Sequence, residues 1–503
     1  MAQLQPDRQS QDTPIPLADH ASHGFLWLMI PNLFSKASGF LGQLVMARLL
    51  APRDFGLVAL AYSIAAIPKL LRDNGLLQVL VGKQDKIDRW VSSVFWFDLI
   101  LGALAALALA AAAPFCSSYF HQPPLTGLVL LVAAGILINA LSSVPMAQLY
   151  VKLEFRKIAT AGLQYNLGVL ILTVILAFMG FGPYSLLIPL PIFSAIRFIV
   201  LWRWASPRIH KRLGLNRWNA LIKDAFPLAL GVLLFAVQTA IPSIALGRMQ
   251  SVAQAGIYYF GWNLSTQALQ ILSFNIMQVL LPVLSNLNHD LPRQAAALLR
   301  VLKMLVFVSA PACAVVAVLA GPAVISIFGP KWGESAEVLA ILSIGTPFAV
   351  LLNPLISYLQ SRRRYTFSMY LTLAMLMVGV PMILIGSAWQ GALLVAVAVT
   401  LQAVICVPPM IYLSIRDARG TIRDVLAVFV PFLPLSAMGI LPIVLLNYWF
   451  PALTAHHLGD VFVGSVLEGV IYFGLSPWLC PGESSELWRR GVQLIRRITR
   501  TAA

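Results

Sequence analysis

Fourteen apolar stretches, each about as long as a bilayer is thick, fill nearly all of this 503-residue chain. A helix needs roughly 20 apolar residues to cross the hydrocarbon core. The stretches begin near Gly24, Phe55, Ser93, Leu125, Ala161, Tyr184, Ala225, Ala255, Val301, Ala336, Phe367, Gly391, Val425 and Val461. A segment in lipid must satisfy its own backbone N–H and C=O groups, which predicts helices. A β-barrel would instead alternate apolar and polar residues over strands of about ten, and the sequence does not. With 59% hydrophobic residues and a mean hydropathy of +0.82, the chain reads as an all-α polytopic membrane protein. No gap between stretches is long enough for a folded domain outside the membrane.

A net charge of +16 suggests nucleic acid, but its distribution argues otherwise. With both termini cytoplasmic, 29 of the 35 Lys and Arg residues fall in cytoplasmic tails and loops. This is the bias that orients membrane helices, so no nucleic-acid partner is expected. Arg48, Arg53, Arg248 and Lys331 fall on the other side, and Lys36 and Arg197 lie within stretches. Residues 1–22 are polar, without the apolar core of a signal peptide, and read as a disordered cytoplasmic tail. Four scattered cysteines (Cys116, Cys313, Cys406, Cys480), with no CxxC, give no reason to expect a metal or cofactor.

A basic segment over 205–224 divides the first twelve stretches into six plus six: 23–204 (the N-lobe) and 225–415 (the C-lobe). Arg48-x7-Gly56, at the first turn, recurs 200 positions later as Arg248-x7-Gly256. One Arg and one Gly are a weak match, but they stand at equivalent turns of the two halves. An even number of spans keeps both repeats in one orientation, as in parallel-repeat transporters, and two facing bundles would enclose a cavity. A further pair of spans over 425–481 breaks the symmetry. A basic amphipathic tail follows over 483–503, in which Trp488, Leu494, Ile495 and Ile498 alternate with arginines, a pattern suited to the membrane surface.

Ionisable residues inside spans are costly and face a partner or a cavity. Lys36, Asp98, Arg197 and Glu468 are the four here. Either they form buried ion pairs, such as Lys36 with Asp98, or Lys36 and Arg197 line a cationic lumen. Arg48 and Arg248 join that candidate set because topogenic bias disfavours them where they stand. The first and eighth spans are unusually polar. Asn32, Gln43, Asn263, Gln267 and Gln270 are candidate lumen amides, suited to sugar hydroxyls as cations are suited to phosphate. Asp98 is the candidate for ion coupling. Prolines such as Pro145 and Pro381 mark kinks or hinges. There is no GxxxxGK[ST] for nucleotide hydrolysis, and no exterior loop long enough for glycosyl transfer, so the chain is not expected to be an enzyme.

From Ala47-Arg48-Leu49-Leu50 through Asp54-Phe55-Gly56-Leu57 the sequence resembles the signature of Wzx-type polysaccharide flippases. These belong to the multidrug/oligosaccharidyl-lipid/polysaccharide exporter superfamily, and the likeness is to its colanic- and teichuronic-acid exporter branch. Asp73-Asn74-Gly75, Ser93-Val94-Phe95-Trp96, Lys152 to Lys157, Gly180 to Tyr184, Leu281 to Ser285 and Phe328 to Trp332 resemble further pieces in the family's order, across residues 25 to 420. Asn74 departs from the serine of that pattern. The resemblance implies fourteen helices in two lobes plus a C-terminal pair. It also implies an alternating-access flippase of the bacterial inner membrane that moves undecaprenyl-diphosphate-linked oligosaccharide for exopolysaccharide or lipopolysaccharide synthesis. Membrane lipids and the polysaccharide polymerase and co-polymerase would be its partners, and cavity cations would engage the diphosphate. A cation-coupled multidrug exporter and a peptidoglycan-precursor flippase are alternatives on the same fold.

Overall fold

The computed structural model describes residues 38–72, 87–152, 154–207, 209–210, 218–287, 289–449, 465–466, 468–472 and 474; at 70–72, 87–90, 219–229, 232, 268–279, 281–282 and 443–449 it describes the backbone alone. Helices account for nearly all of it. The first half comprises α1 (38–49), α2 (Pro52–Arg72), α3 (Ile87–Phe120), α4 (Pro124–Ala140), α5 (Ser143–Val151), α6 (Phe155–Phe178), α7 (Tyr184–Leu187) and α8 (Pro189–Ala205). The second comprises α9 (Trp218–Met249), α10 (Val252–Asn286), α11 (Leu291–Phe328), α12 (Gly333–Ala349), α13 (Leu352–Ser361), α14 (Tyr365–Trp389), α15 (Ala392–Ile415), α16 (Ile422–Phe429) and α17 (Phe432–Trp449). Among the described residues, eight helices or unbroken helix runs are long and apolar enough to cross a membrane, and nine if the bent pair α4–α5 is one span. The protein is a multi-pass membrane protein. Its N-terminal tail, residues 208 and 211–217 of the 205–224 segment and its C-terminal tail lie outside the described residues. α9 starts at Trp218, ahead of the Ala225 expected from hydropathy.

Short polar caps separate the helices. Ser251 accepts from the N–H of Gln254 to start α10, and Asp290 from that of Arg293 to start α11. Thr421 and Asp424 form a reciprocal capping box at α16. Prolines 311, 322, 381, 408 and 409 sit inside helices that continue through them, as membrane helices tolerate. Pro145 coincides with a sharper break, the 40° bend between α4 and α5. Its ring has no N–H to give the carbonyl four residues back, at Leu141. The Trp202 indole supplies that bond instead, at 2.9 Å.

Helices α2 to α8 pack among themselves, as do α9 to α15, and α2 packs across on both α9 and α10. Leu60, Leu109, Leu125 and Leu128 belong to a core in the first half, and Leu298, Leu302, Tyr358 and Phe432 to one in the second. A third cluster takes Met46, Ala47 and Phe55 from the first half with Phe260, Phe328 and Trp332 from the second. Large apolar side chains such as Leu107, Phe178 and Met377 point outward, as a lipid-facing surface requires. Chain order sets two ends. The basic end carries Lys69, Arg293, the 362–364 arginines and Arg416. The neutral end carries the turns at residues 50–51, 121–123, 250–251 and 329–332.

Candidate functional site

Two cavities lie where the halves meet. One, of about 290 Å³, is walled by α1, α2, α6 and α10 and includes Ser38, Gln43, Asn166, Thr173, Asn263 and Gln267. The other, of about 680 Å³, is walled by α2, α4, α6, α9 and α10 and includes Lys69, Asn139, Tyr165, Thr239, Ser243 and Trp262. Tyr62 and Tyr259 line both, so the cavities are adjacent chambers that share these two side chains. Ala59, Tyr62, Ser63, Ala66 and Lys69 recur at helical spacing on one face of α2. Small residues there leave room, and Lys69 ends the stripe near the basic end. Among the described lining residues Lys69 alone is charged. The amide of Gln267 donates to Gln43 Oε1 at 2.7 Å, bridging α10 and α1 across the smaller chamber.

At the neutral end of these chambers α2 and α10 cross. A Cβ on Gly56 would stand 1.8 Å from the Val252 carbonyl oxygen, and one on Gly256 would stand 1.8 Å from that of Pro52. Only glycine lets the two backbones meet so closely. The contacts exchange under the 200-residue offset, which makes the crossing the axis of the internal repeat. Around it, two helix C-termini cap each other. Arg48, at the end of α1, donates from Nε to Ile327 O at 2.8 Å and from a terminal nitrogen to Ser326 O at 2.6 Å, both in the last turn of α11. Lys331 Nζ donates to Arg48 O at 2.9 Å and Leu50 O at 2.7 Å, and the Trp332 indole donates to Ala47 O at 2.8 Å. The last carbonyls of a helix lack intrahelical donors and carry the negative end of its dipole, so both cations sit where they are favoured. Beneath them Trp332 stacks on Phe260 (4.0 Å between ring centroids), and Phe55 and Phe328 meet Phe260 edge-on.

The expected lumen amides Gln43, Asn263 and Gln267 fall in the smaller chamber. Arg48 and Arg248 line neither chamber. Arg48 caps α11, and the Arg248 guanidinium lies 4.9 Å from the ring centroid of Tyr119, at the end of α3. Each repeat arginine therefore reaches the end of the opposite half's third helix. Arg197 sits on α8 with its guanidinium 5.4 Å from the ring of Tyr165, which lines the larger chamber. Asp98 is buried at the α4–α5 break, where Ser143 donates to its carboxylate, and it lines neither chamber. Glu468 is buried over Gly439 of α17. Lys36 and Asn32 lie outside the described residues, as does the side chain of Gln270. Sequence reading missed Tyr62, Tyr165, Tyr259, Trp262, Asn166 and Lys69. The seven-residue spacing of Tyr62 and Lys69 was a usable signal, masked because Lys69 stood among topogenic lysines.

The model of the family described as polysaccharide biosynthesis protein matches residues 45–337. The succinoglycan biosynthesis transport protein ExoT of Rhizobium meliloti is 25% identical over 349 residues, which cover 69% of this chain and 70% of the relative. The lipopolysaccharide biosynthesis protein WzxC of Escherichia coli is 22% identical over 424 residues, covering 83% and 85%. Among solved structures, the lipid II flippase MurJ in an inward closed conformation superposes with a TM-score of 0.71 at 14% identity, covering 90% of this chain and 98% of that one. At that identity the likeness is one of fold.

Proposed function

This chain belongs to the polysaccharide biosynthesis protein family, and we propose that it is a flippase moving undecaprenyl-diphosphate-linked oligosaccharide across the bacterial inner membrane. The observation that carries the reading is the two-chamber lumen between the halves. A sugar head group must cross roughly 30 Å of hydrocarbon without losing partners for its hydroxyls, since an unpaired buried polar group costs several kcal/mol. Gln43, Asn166, Asn263, Gln267, Thr239 and Ser243 offer such partners, and Tyr62, Tyr165, Tyr259 and Trp262 offer flat faces for sugar rings. Lys69 receives the diphosphate at the entrance, with Lys36 and Arg197 as further cations. Arg48 and Arg248 serve closure of the opposite end, and the prenyl tail stays in lipid.

In this reading the chain has fourteen spans: lobes over 23–204 and 225–415, a cytoplasmic linker over 205–224, a pair over 425–481 and both termini cytoplasmic. The basic end faces the cytoplasm, and the crossing at Gly56 and Gly256 closes the lumen to the outside. Export then requires that crossing to part while the basic end shuts. A peptidoglycan precursor is the second cargo to test, on the strength of the fold shared with MurJ. A cation-selective drug exporter fits less well, because no described lining residue is acidic.

The test is a deletion strain, scored for surface polysaccharide, for viability and for the leaflet that holds the lipid-linked intermediate. Loss of polymer with the intermediate trapped on the cytoplasmic leaflet, reversed by the wild-type gene, is the expected result. Normal polymer with intermediates unchanged would refute the cargo. Loss of viability with accumulated peptidoglycan precursor would move the assignment to the second reading.

A further inference from the structure

Away from the lumen, at the basic end of the second half, a pocket of about 230 Å³ is lined by Leu291, Ser361, Arg362 and Arg363. It lies at the turn where the span ending at Ser361 gives way to the one starting at Tyr365. Tyr365 and Tyr370 are exposed just beyond it, and exposed tyrosines at a helix end mark the level of lipid head groups.

The turn is built in an unfavourable way for its sequence. The N–H of Arg363 bonds to Gln360 O and that of Arg364 to Leu359 O, both at 2.9 Å. This pair of bonds closes a helix with a left-handed residue, most often glycine. Arginine occupies that position here, at φ 55°. The abutting turn after α15 repeats the arrangement: Arg419 sits at φ 62° while the glycine stands one place later, at 420. A strained non-glycine residue kept in such a position points to a role for its side chain.

Charge at the turn is unbalanced. Asp417 pairs with Arg364 and lies 3.9 Å from Arg362, whose side chain is only 8% exposed and also donates to the Tyr358 hydroxyl. Asp290, at the start of α11, is taken up by Arg293 and by the helix N-terminus. Arg363 makes no ion pair among the described residues, and its side chain is exposed at the pocket.

We propose that this pocket binds phosphate, and that its source is the head group of an anionic phospholipid at the membrane surface. Arg363 supplies a forked donor for phosphate oxygens, Arg362 adds a held positive charge, and Leu291 gives the apolar wall that a lipid can lie against. A soluble phosphate has the same chemistry at the donors but makes no use of that wall or of the interfacial depth.

The full chain, purified in detergent, tests this by its thermal unfolding midpoint during titration with phosphatidylglycerol, phosphatidylcholine or inorganic phosphate. Phosphatidylglycerol is expected to stabilise wild type, phosphatidylcholine and inorganic phosphate much less. Arg363→Gly removes the guanidinium while suiting the left-handed backbone, so the protein stays folded. It should weaken the phosphatidylglycerol response about fivefold, in line with the usual worth of one basic residue at an anionic surface. Arg363→Lys should keep most of the response. A response to inorganic phosphate as large as the lipid's, and lost in Arg363→Gly, keeps the phosphate pocket but overturns the lipid source. An unaltered lipid response in Arg363→Gly overturns the site. So does an equal loss in Arg203→Gln, a basic residue at the end of α8, because the effect would then be one of surface charge in general.

Discussion

Replacing Gly256 by alanine probes the closed end of the lumen with one methyl group. Its Cβ would lie 1.8 Å from Pro52 O and 2.7 Å from the Gly56 nitrogen. Real Cβ contacts essentially never fall below 3.0 Å, so α2 and α10 must part by about 1.2 Å. Both obstacles are backbone atoms, which no side-chain rotation can clear. Overpacking of this kind costs about 1–3 kcal/mol, and here the cost falls on the state in which the helices cross. A bias of that size shifts a two-state equilibrium about 5- to 150-fold. The assay is a single reporter cysteine at Thr173, in the smaller chamber, with the four native cysteines removed. Gly256→Ala should raise its labelling by a membrane-impermeant maleimide added from the neutral side by about tenfold or more. Gly56→Ala meets Val252 O at the same 1.8 Å and should act alike. The double variant should do little more than either single one, since one separation relieves both contacts. Unchanged labelling and wild-type stability in both single variants would refute the crossing as the closure.

Arg48→Ala should also raise neutral-side labelling, with loss of about 1–2 kcal/mol of stability, whereas Arg48→Lys should retain only part of the closure because lysine lacks the planar guanidinium whose separate nitrogens reach Ile327 O and Ser326 O; equal behaviour of the two in labelling and unfolding would count against the cap. Lys69→Ala and Lys36→Ala should lower polysaccharide export at matched protein level, and Arg248→Ala should alter labelling more than export; wild-type export in both lysine variants would remove the cations from the lumen. Asp98→Asn keeps a partner for Ser143 at the α4–α5 break and should leave export near wild type, while a loss of export at normal stability would make Asp98 the coupling group.

Membrane class, helical fold and the basic end were legible because each rests on one-dimensional information, namely the length of apolar runs and the sign of the gaps between them. The α4–α5 bend was legible at Pro145. The repeat of Arg48 and Gly56 at Arg248 and Gly256 was legible as a pattern, but its meaning was not. An arginine off the topogenic side looks like a lumen cation until its partner is known, and the partners lie at Ser326, Ile327 and Tyr119, far along the chain. Gln43 and Gln267, which line the smaller chamber, stood out as polar residues on polar helices. Tyr62, Tyr165 and Trp262 were not, because an aromatic residue in a span looks the same whether it faces lipid, core or cavity. Lys69 was counted with the loop lysines that follow it, and only the packing of α2 on α9 and α10 turns it toward the larger chamber.

The way the neutral end is held also constrains the mechanism. Hydrogen bonds to charged groups contribute about 1.5–3 kcal/mol each, but Arg48 and Lys331 are exposed, so their bonds belong at or below the low end of that range. Cations at helix C-termini add a further few tenths to 1 kcal/mol. The cluster of Met46, Ala47 and Phe55 on Phe260, Phe328 and the buried Trp332 adds apolar packing across the halves to these polar caps. In the flippase reading proposed above, moving a two-state protein from 1:99 to 99:1 would take about 5.5 kcal/mol of differential binding. The core around Leu302 lies within the second half, whereas the one around Leu128 also takes in Val252 of α10. Parting the halves at this end therefore means releasing exposed cations from carbonyls and also separating Phe55 from Phe260 and Trp332.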